Sequence, residues 1–205
     1  DRMQLFGIDV PRDSKEYPLS IAFVSVNMAD DVAEESYTID ENFENSDEAD
    51  FVNTSLPAEE FFNKLSGDTP RLLIRGAAGC GKTTLLRWAA VQAGKGDSEQ
   101  DWRARVPFLI RLRDYSNAQL PRPQEFPLLL AKELPDAPPG WMTQLLEDGR
   151  ALVMFDGVDE VPEAKRSETI AEIRQLLKTY SRIACVVTSR VEAVDQADFE
   201  PLGFV

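Results

Sequence analysis

Apolar residues along this chain fall into four short runs, separated by stretches where they recur at helical spacing. Leu72-Leu73-Ile74, Val106 to Leu112 (VPFLIRL), Ala151 to Phe155 (ALVMF) and Ile183 to Val187 (IACVV) have the length and composition of buried strands. After the first run, Leu85, Leu86, Ala89, Ala90 and Ala93 mark a helix that Gly94 and Gly96 stop. Before the fourth, Ile170, Ile173, Leu176, Leu177 and Tyr180 line one face of a helical region that opens at Pro162 and ends near residue 180. Near-continuous apolar strands alternating with helices predict a parallel sheet covered on both faces. Pro107 puts the second strand at an edge or at a strand entry. Two short helices are predicted near 124–134 and 138–148, the latter with Trp141, Leu145 and Leu146 on one face. Lys95 to Arg105 reads as a polar linker, and Phe199 to Val205 as the start of a fifth strand.

Ahead of this core the pattern weakens. Leu5, Phe6, Ile8 and Val10 are candidate docking residues, and Leu19 to Val26 (LSIAFVSV) reads as a separate strand. Pro57 to Leu65 reads as a short helix with proline in its first turn, acids early, and Phe61, Phe62 and Leu65 inward. Lying just before the glycine-rich loop, it is placed to lean over a bound base. The expected organisation is a lead-in over 1–66 packed on a core over 67–205.

Charge sharpens this division. Of the net −14, −13 lies between Lys15 and Lys64, where there is no Lys or Arg. Asp30 to Asn53 therefore reads as a solvated acidic loop, and nucleic acid or an anionic membrane is not an expected partner. Two cysteines, Cys80 and Cys185, do not make a disulfide framework and read as reduced thiols of a cytoplasmic protein. There is no signal peptide and no apolar run long enough to span a bilayer. The chain opens on Asp1 and closes on Val205 inside an apparent strand, so it reads as a piece of something longer, truncated at its C-terminal end.

The chemistry concentrates between the first strand and its helix. Gly76-Ala77-Ala78-Gly79-Cys80-Gly81-Lys82-Thr83 matches G-x-x-x-x-G-K-[ST], a phosphate-binding loop. Three glycines let the backbone curl through positive φ and bring its N–H groups against a polyphosphate. The helix that follows presents unpaired amides and a favourable dipole, and Thr84 belongs to the same first turn. Lys82 supplies a point charge to the β- and γ-phosphates, and the Thr83 hydroxyl a ligand for Mg2+.

Such a loop needs a carboxylate at the C-terminal end of a nearby apolar strand. Asp156, directly after ALVMF, meets that requirement and is assigned to Mg2+ through water. Asp159 and Glu160 follow where the chain leaves the sheet, and either can face the γ-phosphate to polarise an attacking water. Arg190 follows the fourth strand at the same rim, where a guanidinium can distinguish triphosphate from diphosphate. Arg111 and Arg113 are read as pairing with acids.

GAAGCGKTT, then VPFLIRLRDY, LVMFDGVDE and VVTSR, in this order and spacing, resemble the NACHT-type NTPases of the STAND class of phosphate-loop ATPases. The upstream LFGID and YPLSIAFVSV segments resemble the lead-in of bacterial members. The discriminating element is DGVDE, with Gly157 beside the aspartate. The resemblance implies an α/β fold: a P-loop NTPase of the ASCE type, three-layer α/β/α with a mostly parallel central sheet, preceded by a small strand and helix segment. It implies a switch that ADP holds as a closed monomer and ATP, with Mg2+, releases to self-oligomerise. It also implies kinship with animal inflammasome sensors and a role in antiphage defence. By residue it implies Lys82 on phosphate, Thr83 and Asp156 on Mg2+, Asp159 or Glu160 as water activator, and Arg190 as first sensor. Two other functions stand beside it: a fast ATPase of another phosphate-loop branch, and a nucleotide-indifferent scaffold working through its acidic segment.

Overall fold

A computed structural model describes residues 2–5, 8–11, 27–29, 55–66, 70–95, 101–116, 119–126 and 138–205. The core is a four-stranded, all-parallel sheet built from β5 (Arg71–Arg75), β6 (Val106–Arg111), β7 (Ala151–Asp156) and β8 (Ala184–Ser189). Its spatial order is β5-β8-β7-β6, so β8 is inserted between the strand that feeds the glycine-rich loop and the strand that ends in Asp156. Four earlier strands lie outside that sheet. β1 (Arg2–Leu5) pairs antiparallel with β2 (Ile8–Pro11), and β3 (Asn27–Ala29) with β4 (Ser55–Pro57). The helices are α1 (Ala58–Phe62), α2 (Lys82–Gly94), α3 (Trp141–Glu147) and α4 (Glu163–Thr179).

Strand position explains the apolar pattern. The two central strands, β7 and β8, are buried at every position, whereas β5 and β6 alternate buried with partly exposed residues. Pro107 sits in β6, opposite Leu152, and among the described residues β7 is the only strand beside it. Its missing N–H is therefore tolerated at the sheet edge.

Successive side chains feed two cores on opposite faces. Leu72, Ile74, Leu152, Met154, Ala184 and Val186 face α1 and α2. Phe108, Ile110, Val153, Phe155, Cys185 and Val187 face α3 and α4. The expected three-layer α/β/α architecture is what forms.

The short helix before the loop is observed as α1 followed by a 3-10 turn over Asn63–Ser66, with Phe61, Phe62 and Leu65 buried. Phe62 packs edge-on to Trp88 of α2 at 5.9 Å and against Trp102 at 5.3 Å, so this helix is anchored on the flank of α2. Trp102 is a correction to the polar-linker reading. It lies in a 3-10 turn over Asp101–Ala104, is fully buried, and its indole N–H donates to Asn63 Oδ1 at 3.2 Å. A lone tryptophan among polar neighbours makes no periodic signal, yet its large apolar area and satisfied N–H favour burial.

The fifth strand is also corrected. Residues 196–202 form two 3-10 turns, and Phe199 and Phe204 stack edge to face at 5.2 Å on the α4 side of the core. Only Val205 joins the sheet, donating to Arg71 O at 3.2 Å and accepting from Leu73 N at 2.9 Å. Phe199, Leu202 and Phe204 are instead folded into the core by these turns. β8 runs on through Thr188 and Ser189, two residues past the predicted apolar run. The predicted strand over 19–26, the acidic segment over 30–53 and residues 127–134 of a predicted helix lie outside the described residues, and the later helix is observed as the shorter α3.

Candidate functional site

Everything the sequence marked as chemical converges on the C-terminal rim of the sheet, where β5, β7 and β8 end. β5 ends at Arg75, the loop runs over 76–81, and α2 begins at Lys82. Gly76 N donates to Ser189 O at 3.1 Å, which fastens the start of the loop to the end of β8. Gly79 (φ +76) and Gly81 (φ +96) adopt the left-handed conformation, and nothing lies within 4 Å of where a Cβ would project from either. These glycines are there for backbone curl, not for want of space. Ala77, Ala78, Gly79 and Cys80 are exposed. Gly81, Lys82, Thr83 and Thr84 are partly buried where α2 starts, and the first amides of a helix have no intrahelical acceptor.

Lys82 bridges the mouth of this loop. Its ammonium donates to Gly76 O at 2.7 Å and Ala77 O at 2.9 Å, with Cys80 Sγ at 3.8 Å. At the next residue, the Thr83 hydroxyl donates to Asp156 Oδ2 at 2.8 Å. The loop and the β7 carboxylate thus share one face of the sheet and touch.

The remaining acids separate. Asp159, with a side chain 10% exposed, takes Arg190 Nε on Oδ2 at 2.8 Å and the Arg190 backbone N–H on Oδ1 at 3.1 Å. Arg166 of α4 supports this turn from behind, donating to Val161 O at 3.0 Å and Asp159 O at 3.3 Å. Glu160 is 41% exposed and meets Arg113 Nε only at 3.9 Å. Arg111 pairs with Asp114 at 2.9 Å, in keeping with the structural reading of both arginines. Three carboxylates within five residues avoid mutual repulsion because each has a different partner: hydroxyls for Asp156, arginine for Asp159, a loose arginine contact for Glu160. Gly157 (φ +82) lets the chain turn sharply here, and a Cβ would meet the Glu160 side chain at 3.1 Å.

Thr188 is a site residue that motif reasoning passed over. It is fully buried, donates to Asp156 Oδ1 at 2.9 Å and accepts from Gly157 N at 2.9 Å. The signal was present: a polar residue closes an otherwise apolar strand, and buried hydroxyls need partners. Pairing of Phe155 with Val187 puts Asp156 beside Thr188.

The profile of the NACHT domain matches residues 70–201. The chain belongs to the NACHT domain family. No curated protein matches it significantly. NACHT domains are nucleotide-binding P-loop NTPases that act as switches, and the matched span covers the sheet, the glycine-rich loop, Asp156 and Arg190. The donors at the rim of this NACHT domain fit Mg2+: a hydroxyl and a carboxylate are hard oxygen ligands, and Mg2+ is completed by substrate phosphate and water rather than by an all-protein cage. No group of three or more His, Cys, Asp or Glu gathers among the described residues. No described helix is long and apolar enough to cross a membrane.

The two cysteines give a direct test of this geometry. Cys80 is exposed in the loop, whereas Cys185 lies inside the sheet, where burial pushes its thiol well above the ordinary range and Arg71 offsets that only in part. A maleimide at pH 8 is expected to label one thiol per native chain, at Cys80, and two after denaturation; bound nucleotide should slow the first reaction. Rapid labelling of Cys185 in the native protein would contradict the described core.

Proposed function

We propose that this NACHT domain is the ATP/ADP-binding switch of a STAND-class signal-transduction NTPase, acting in a bacterial antiphage sensor of the cytoplasm. Mg2+-dependent hydrolysis is slow and coupled to self-oligomerisation. The lead-in over 1–66 and the core over 67–205 are its two units. The observation that carries the reading is the 2.8 Å bond from the Thr83 hydroxyl to Asp156, which brings together the two oxygen ligands a Mg-nucleotide requires.

In this reading the loop of Gly76, Ala77, Ala78, Gly79, Cys80 and Gly81 cradles the phosphates, with the Gly76 amide tied to Ser189 O and the amides after it serving the phosphates, and Thr84 closes the first turn of α2 against them. Lys82 leaves the Gly76 and Ala77 carbonyls for β- and γ-phosphate oxygens. Thr83 and Asp156 hold Mg2+, which supplies charge neutralisation to the phosphates. Glu160 accepts a proton from the attacking water, and Arg190 reads the γ-phosphate while Asp159 holds its guanidinium. Support for dividing the acids this way comes from their partners: both Asp159 oxygens are engaged by Arg190, whereas Glu160 is exposed and loosely held.

Differential scanning fluorimetry with ADP or ATP and Mg2+ tests the proposal. At a ligand concentration a hundred times Kd, binding stabilises the native state by about 2.7 kcal/mol, or roughly 5–10 °C for a domain of this size. No shift with either nucleotide would overturn it and favour an interaction scaffold. Steady-state phosphate release near ~10 s⁻¹, the enzyme median, would point to the fast ATPase instead.

A further inference from the structure

We propose that Thr188 is the positioning residue of the magnesium site: its hydroxyl fixes the orientation of the Asp156 carboxylate, and Mg2+ affinity depends on it. This rests on the nucleotide-switch reading above.

Thr188 lies inside β8, next to Val187 and with no exposed surface, where an apolar side chain would cost less to bury. Its hydroxyl both accepts and donates. It accepts from Gly157 N at 2.9 Å and lies 2.9 Å from Asp156 Oδ1. A backbone amide can only donate, and a hydroxyl carries one proton. The Thr188 proton is therefore committed to Asp156 by the amide on its other side. Polarisation along that chain strengthens both bonds.

The opposite oxygen, Oδ2, receives the Thr83 hydroxyl at 2.8 Å. Two hydroxyls, one from α2 and one from β8, thus clamp the carboxylate from both sides and stop it rotating about its Cβ–Cγ bond. Each oxygen keeps a further lone pair for a cation or its water. Asp156 is itself only 7% exposed, so bulk water does little of this work. Partners of this kind fix the orientation of metal-binding groups and their removal costs metal affinity. The same threonine links the Mg2+ carboxylate to the Gly157 amide, where the turn bearing Asp159 and Glu160 begins.

The test is the magnesium gain: the ratio of Kd values for a non-hydrolysable ATP analogue measured on the full chain in EDTA and in Mg2+. Thr188→Val is expected to lower that gain by about 10- to 100-fold, with the EDTA value unchanged. Thr188→Ser, which restores the hydroxyl, is expected to restore the gain. If Thr188→Val does not fold, Thr188→Cys, of similar size but a weak donor, is read the same way, and a fall in its gain supports the proposal. An unchanged gain in either variant, or a serine variant as impaired as valine, would overturn it. So would an equal loss in EDTA, which is the mark of a packing role. If Thr188→Val keeps its gain while Lys82→Ala still abolishes binding, only the role of Thr188 fails. If the wild-type chain binds the analogue in neither condition, the nucleotide reading falls and this inference with it.

Discussion

Lys82→Ala is expected to erase the nucleotide-dependent rise in melting temperature while leaving the ligand-free melting point nearly unchanged. Without nucleotide, the ammonium makes two hydrogen bonds to carbonyls of its own loop, at 2.7 and 2.9 Å, in a partly exposed position. Water can replace those bonds, so the ligand-free change should stay within about 0.5 kcal/mol, the usual range for surface substitutions. In the proposed function the same charge faces phosphate once nucleotide binds, in a site made of backbone amides where nothing else in the loop carries a full positive charge. Truncating one partner of such a charged pair costs about 2–5 kcal/mol, or roughly 30-fold to several thousand-fold in Kd. At a ligand concentration that gives the wild type its 5–10 °C shift, a hundredfold loss leaves about 0.4 kcal/mol of stabilisation, or roughly 1 °C. Scanning fluorimetry of both proteins with ADP and Mg2+, and with Mg2+ alone as control, reads the difference. A shift that survives the substitution would mean that phosphate is not what the loop holds.

The sheet was legible because its central strands carry near-continuous apolar runs ahead of their polar ends, the pattern of a strand covered on both faces. ALVMF and IACVV became β7 and β8, and a proline in VPFLIRL marked the edge strand β6. The loop was legible because positive φ, close approach and charge each demand a residue type at a fixed place, and Gly79, Gly81 and Lys82 meet those demands. Two kinds of feature escaped. Trp102 and Phe199 are held by tertiary packing alone, and neither belongs to a periodic run that would betray it. Partnerships escaped too. That Arg190 closes on Asp159, 31 residues away in sequence, follows from β7 and β8 being neighbours, and neighbourhood in a parallel sheet is not written in either segment by itself. The same reason hid Thr188, whose importance lies wholly in what stands across the β7–β8 gap.

Glu160→Gln is expected to lower the hydrolytic rate by about 10²–10⁴-fold, the range for loss of a positioned general base, with nucleotide affinity unaltered. Asp159→Asn is expected to do something different: blunt the preference for triphosphate over diphosphate and reduce the rate far less. The distinction comes from how each carboxylate is held. A base must come within hydrogen-bond reach of the attacking water, and both oxygens of Asp159, only 10% exposed, are tied to Arg190, at 2.8 Å to Nε and 3.1 Å to the backbone N–H. Glu160 is 41% exposed, makes only a long 3.9 Å ion pair with Arg113, and lies over Gly157. Amide substitution at Glu160 keeps the shape and removes the proton acceptor. At Asp159 it keeps an oxygen for the Arg190 amide and weakens the hold on the guanidinium, which is half exposed and free to move once released. Because the proposed turnover is slow, the rates are best compared in single-turnover reactions with enzyme in excess over γ-labelled ATP, alongside ATP and ADP affinities for each variant. A larger rate loss at Asp159 than at Glu160, with unaltered discrimination between the two nucleotides, would reverse the assignment and make Arg190 the partner of the base rather than the reader of the γ-phosphate.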